Sequence, residues 1–143
     1  MKIYLCGAIT YHWENRELHK AVDWRIKLRE KLEELNKTIG KKQFKCFDPT
    51  YNYKDNLEFS SMSVVLQNKH YLDQCDLMVV NADDLEHSPG SMFEIFYYYI
   101  KQKPVIAFGS SKIISQPHVE CGISEHVTGI KEVVNYLHSM YLQ

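Results

Sequence analysis

The sequence predicts an α/β protein: a single-domain, flavodoxin/Rossmann-like three-layer sandwich with a parallel sheet of about five strands. Three observations predict it. Short apolar runs, KIYLCGAI, DLMVVNAD and KPVIAFGS, alternate with longer segments of helical spacing. No repeat, linker or low-complexity tract interrupts that alternation. At 143 residues with 45% apolar content, the chain fits one domain spanning 1–143 with one core.

The elements follow in order. KIYLCGAI, residues 2–9, reads as a buried parallel strand feeding a ligand loop, because it is apolar throughout and ends in small residues. From about Glu17 to Leu35 there is no Gly or Pro, and Leu18, Ala21, Leu28, Leu32 and Leu35 recur on one helical face with Arg25 in the apolar seam. The polar stretch Lys37–Lys42 marks a turn. QFKCFDPT is a second strand stopped at Pro49, and YNYKDNLEFSS, without a clear period, is a loop over the ligand edge of the sheet. A helix from about Ser61 to Gln74 leads to the third strand, DLMVVNAD. A helix from about Ser91 to Gln102 joins it to the fourth, KPVIAFGS. A short strand near His126 and Val127 precedes a last helix carrying Ile130, Val133, Val134, Leu137 and Tyr141.

In such a sheet, ligands bind beyond the carboxyl ends of the strands, where strand order reverses. With a flavodoxin-like order the first and third strands are neighbours. Gly7, Ala8 and Ile9 then face the loop from Asn81 to Gly90.

Composition narrows the partners. Seventeen basic and eighteen acidic side chains give a formal charge of -1, which does not supply the positive field of a nucleic-acid binder. A small ligand fits better. The four cysteines form no C-x-x-C pair, and MKIYLCGAIT lacks the charged segment and longer apolar core of a secretion signal. The expectation is a reduced, cytoplasmic protein with no membrane association. Neither the cysteines nor the seven histidines have metal-ligand spacing, so no metal site is predicted.

SPGSMFE, residues 88–94, poses the functional question. Ser91 followed three positions later by Glu94 has the pattern of a capping box, with Pro89 and Gly90 making the turn. The same carboxylate, in a first helical turn at a strand's carboxyl end, would meet a helix dipole that keeps it ionised and a ligand crevice. There it could attack an electrophilic sugar carbon and form a covalent glycosyl-enzyme. Gly90 would let backbone approach a sugar or phosphate, and the amides after it could hold an anion.

IYLCG at the start, Trp24 and Arg25, FDPT, the acidic opening of the third strand at Asp76, SPGSMFEI and KPVIAF occur in the order seen in the nucleoside 2-deoxyribosyltransferases. Nearly the whole chain resembles that family, whose superfamily includes 2'-deoxynucleoside 5'-monophosphate N-hydrolases. The resemblance implies cleavage of an N-glycosidic bond of a small nucleoside or nucleotide without metal or organic cofactor. It makes Glu94 the nucleophile and Tyr4 the residue whose hydroxyl orients it; by itself Tyr4 reads as a core aromatic. Gly7, Ile9, Ser88, Gly90 and Ser91 fall on the substrate side. Ser88 suits a phosphate contact, or equally a turn before proline.

One position departs from the family. Relatives carry an aspartate eight residues before the acid that opens the third strand, where it helps protonate the leaving base; here the position is Asn68. An amide hydrogen-bonds a base edge but does not supply a proton as a carboxylic acid does. Asp73, out of register, and His70 are alternative donors. The departure motivates a competing reading, a nucleotide-binding or sensing module with weak or no catalysis. The segment SSKIISQPHVECGIS resembles the part that relatives insert into a neighbouring subunit's site, so the resemblance implies a homo-oligomer with sites near subunit interfaces. His118 is then a 5'-hydroxyl or phosphate contact, or else a solvated loop histidine. Arg25 reads as a structural ion-pair partner, and Tyr97–Tyr99 as core or interface.

Overall fold

The computed structural model describes residues 1–53 and 60–142. Its strands are β1 (Lys2–Cys6), β2 (Lys45–Phe47), β3 (Leu77–Asn81), β4 (Val105–Phe108) and β5 (Glu125–Val127), and its helices are α1 (Thr10–Glu14), α2 (His19–Thr38), α3 (Ser61–Gln74), α4 (Pro89–Ile100), α5 (Pro117–Glu120) and α6 (Ile130–Tyr141). The strands form one sheet in the order β2-β1-β3-β4-β5, and every pairing is parallel. The order reverses between β1 and β3, as the sequence predicts.

Strand period explains the two-sided core. Ile3 and Leu5 of β1, with Leu77 and Val79 of β3, project to the face covered by α2 and α6, where they meet Leu28, Leu32, Val133 and Leu137. Tyr4 and Cys6, with Met78 and Val80, project to the opposite face, against Leu72 of α3 and Ile95 and Tyr98 of α4. That alternation aims the Tyr4 hydroxyl and the Cys6 thiol toward α4.

The strands are shorter than their apolar runs. β1 ends at Cys6, which leaves Gly7, Ala8 and Ile9 in the loop at its carboxyl end. α1 has no sequence signal: it is five residues long, and Ile9 before it offers no side-chain cap. α4 begins two residues earlier than predicted, with Pro89 in its first turn, where a missing N–H costs nothing. Most of the predicted loop at the ligand edge lies outside the described residues, but Pro49–Tyr53 forms a 3-10 turn. No described helix is long and apolar enough to cross a membrane.

Arg25 ties β1 to α2. Fully buried, it donates to the carbonyls of Leu5 at 3.2 Å, Gly7 at 3.1 Å and Ala21, and its Nε lies 3.7 Å from Asp48 Oδ1. Its guanidinium also lies over the Trp24 ring, 4.5 Å from the centroid. The charge therefore serves the backbone of the β1 loop and a buried carboxylate, which is the structural role read from its place in the seam. Gly7 is confined there: a Cβ would come within 3.3 Å of Trp24 Cζ2 and 3.4 Å of the Asn81 carbonyl.

Candidate active site

A cavity of about 810 Å³ opens where strand order reverses. Gly7, Ile9, Thr10, Tyr11 and Glu14 line it after β1, Val64, Val65, Asn68, Lys69 and Leu72 from α3, and His87 to Ser91, Phe93, Glu94 and Tyr97 from the segment after β3. The volume lies within the range of small-molecule sites, about 300–1,000 Å³.

Glu94 is half-buried at the inner wall. The Tyr4 hydroxyl donates to its Oε1 at 2.9 Å, and the Cys6 thiol donates to its Oε2 at 3.2 Å. Neither bond is local; both cross from β1 to α4. The carboxylate does not reach back to the Ser91 amide, and the Ser91 hydroxyl instead pairs with that of Ser88 at 2.7 Å. No side chain caps α4 at Ser88. The capping-box reading of Ser91 and Glu94 is thereby overturned, because a helix that starts at Pro89 places Glu94 in its second turn.

The electrostatics differ from the sequence expectation too. Burial raises the Glu94 carboxyl above its ordinary value, against the lowering effects of the Cys6 and Tyr4 hydrogen bonds and the Arg25 charge. A dipole that keeps Glu94 ionised is not what governs this site. Burial, then the neighbouring carboxylate, also push the Tyr4 hydroxyl and Cys6 thiol well up, so both stay protonated as donors.

The cavity mouth is built from side chains near the ends of β1 and β3. Tyr11 stacks on His87 with centroids 4.3 Å apart and planes 14° apart. His12, buried behind Tyr11, holds Nε2 3.7 Å from Asp84 Oδ2, and burial lowers its pKa. At Gly90 a Cβ would meet nothing within 4 Å, so the start of α4 presents open backbone to the cavity.

Residues 3–120 match the sequence family of nucleoside 2-deoxyribosyltransferases. The chain belongs to that family. Its chemistry is cleavage of N-glycosidic bonds with deoxyribosyl transfer. Three solved structures share the fold of this deoxyribosyltransferase family member. A conserved protein from Enterococcus faecalis superposes with a TM-score of 0.70 at 17% identity, over 97% of this chain and 98% of that one. A 2-deoxyribosyltransferase from Bacillus psychrosaccharolyticus gives 0.63 at 21%, over 95% and 92%. The CMP N-glycosidase of Clostridium botulinum gives 0.51 at 16%, over 97% and 98%. No curated protein matches the chain significantly in sequence.

Of the residues singled out from the sequence of this family member, Glu94, Asn68, Gly7, Ile9, Ser88, Gly90 and Ser91 line one cavity, and Tyr4 stands behind Glu94. His118 is exposed on α5 and outside the lining. So are the two alternative donors: Asp73 pairs with Lys69 at 2.8 Å and accepts from the Tyr97 hydroxyl, and His70 pairs with Gln74. Sequence reasoning misses Cys6, Tyr11, Glu14 and His87. For Cys6 a signal exists, since a period of two puts it on the same face as Tyr4.

Proposed function

We propose that the protein cleaves the N-glycosidic bond of 2'-deoxynucleosides or their 5'-monophosphates through a covalent deoxyribosyl-enzyme on Glu94. The observation that carries this reading is the Glu94 carboxylate, held at both oxygens by donors from β1 while it lines a cavity of ligand size. A glutamate oxygen forms a bond to C1' as the bond from C1' to the base nitrogen breaks. The electron pair leaves with the base, which takes up a proton. A second base or water then attacks C1' and returns the carboxylate. The first outcome is transfer and the second hydrolysis; they differ in whether an acceptor base outcompetes water.

Around the sugar, Gly7 and Ile9 form one side. The Ser88 and Ser91 hydroxyls, with the open backbone at Gly90, suit a 5'-hydroxyl or phosphate. Asn68 meets the base edge. Phe93, 76% exposed, with Phe96, Tyr99 and Ile100 of α4 and Met62, Val65 and Leu66 of α3, leaves an apolar surface beside the cavity that supports a homo-oligomer. His118 reaches a site only from a neighbouring copy.

The test is incubation with a panel of deoxynucleosides and 5'-monophosphates, followed by separation of free base and mass-spectrometric location of a trapped sugar on Glu94. Free base with an adduct on Glu94 is expected. Ligands that raise the melting temperature while no base is released would favour the binding or sensing module that Asn68 suggests.

A further inference from the structure

We propose that Cys6 is a positioning residue for the nucleophile, its thiol fixing Oε2 of Glu94 while the Tyr4 hydroxyl fixes Oε1. This deepens the reading of Glu94 as nucleophile and rests on it. Cys6 is fully buried at the end of β1, two residues beyond Tyr4 on the same face of the strand. Its Sγ lies 3.2 Å from Glu94 Oε2 and 3.8 Å from the Ser91 carbonyl, so the carboxylate is the nearer acceptor. A carboxylate held at one oxygen still turns about its terminal torsion, whereas donors at both oxygens leave one orientation. Sulfur suits the second position. Its larger radius lets it reach Oε2 from the short Cys6 side chain, and it donates there while staying protonated.

The groups facing Glu94 are few enough to separate. Tyr4 and Cys6 come from β1, Arg25 from α2 and Tyr98 from α4 itself; Tyr11 and Glu14 of α1, Lys69 of α3, His87 of the turn after β3 and Tyr97 of α4 line the same cavity, and the NMR signal of Glu94 itself keeps its titration apart from theirs. Among them Cys6 is the first cause that lowers the Glu94 carboxyl, ahead of Tyr4 and Arg25. Removing the thiol therefore moves Glu94 further up. Replacing it with a hydroxyl, a stronger donor on a shorter bond, restores the hydrogen bond and draws the carboxyl back down.

Cys6→Ala and Cys6→Ser are compared with the native protein in two measurements. The first is the carboxyl carbon-13 shift of Glu94 followed through pH by NMR, which needs no turnover. The second is the pH profile of base release. Cys6→Ala is expected to raise the Glu94 midpoint and the acid limb of the profile together, and to lower kcat about tenfold with KM within about twofold. Cys6→Ser is expected to bring both midpoints back to the native position or below. If the Glu94 midpoint is the same in all three proteins, the thiol serves the Ser91 carbonyl and the inference is overturned. If the NMR midpoints move as expected while the native protein releases no base from any substrate, the contact stands and the nucleophile reading fails. Cys6→Ser, close in volume, keeps the test decisive should Cys6→Ala not fold.

Discussion

The Tyr4 hydroxyl meets Glu94 Oε1 at 2.9 Å across ninety positions of sequence. Parallel pairing of β1 with β3 makes the meeting possible, because α4 follows β3 and returns over the face that Tyr4 occupies. Tyr4→Phe keeps the ring, its stack on Phe47 and the buried volume, and removes one donor. A hydrogen bond to a charged group contributes about 1.5–3 kcal/mol, so base release should slow by about 10- to 100-fold. The acid limb of the rate profile should also shift upward, since the hydroxyl holds the Glu94 carboxyl down. Steady-state rates from pH 4 to 8 check both.

Glu94→Gln separates chemistry from stability. The amide oxygen still accepts one donor, but the side chain lacks the anionic oxygen that the proposed mechanism uses, so turnover should fall by about a thousandfold or more. The folded carboxyl titrates above its ordinary 4.5, so the native state holds a proton that the unfolded chain releases between 4.5 and the raised value. The contribution of Glu94 to stability is therefore fully present below about pH 4 and is lost as pH rises through the folded value. Glutamine does not titrate. The melting temperature of Glu94→Gln relative to native should accordingly climb from pH 4 to pH 7, and a constant difference would contradict the raised carboxyl.

Strand identity, strand order and the crevice were legible because buried parallel strands are apolar runs and the reversal point follows from topology. The site was legible only where a single chain segment carries it. SPGSMFE advertises Glu94 but also imitates a capping box, and only the helix start at Pro89 separates the two. Cys6 looks like any strand residue, because a period of two fixes its face and not what stands opposite. Tyr11 and Glu14 sit on a five-residue helix too short for periodicity, and the Tyr11 stack on His87 joins that helix to the 3-10 turn Leu85–His87 after β3. The Glu94 electrostatics escape the sequence for the same reason: burial is a property of the assembled cavity.

Arg25 gives a prediction about the scaffold. Replacing it with Met leaves Asp48, 4% exposed, without the guanidinium at 3.7 Å and frees the Leu5 and Gly7 carbonyls. Breaking a buried pair from one side costs about 3–5 kcal/mol, which corresponds to a drop of about 10–17 °C in a domain of this size. Arg29, 3.9 Å from the other Asp48 oxygen, offsets part of the loss. The double variant Arg25→Met with Asp48→Asn should recover part of the melting temperature. Thermal melts of the three variants check the coupling, and additive losses would mean that the pair does not act as a unit.

On the proposed reading, Asn68 stands where the departing base would take its proton. It lines the cavity from α3, and an amide can donate to or accept from a base edge but carries no acidic proton. A leaving nucleobase needs that proton most when it is a poor anion. Asn68→Asp places a carboxylic acid at the same position, and general acid catalysis contributes about 100- to 10,000-fold when fully aligned. A rise of about tenfold is expected for a carboxyl placed in a cavity not otherwise arranged around it, larger for poor leaving bases than for good ones, and lost as pH rises and the new carboxyl ionises. Single-turnover base release with a graded series of leaving bases measures it. A uniform rate across the series in both proteins would mean that protonation reaches the base from another group, and Glu14 and Lys69, which line the same cavity, would be the next to replace.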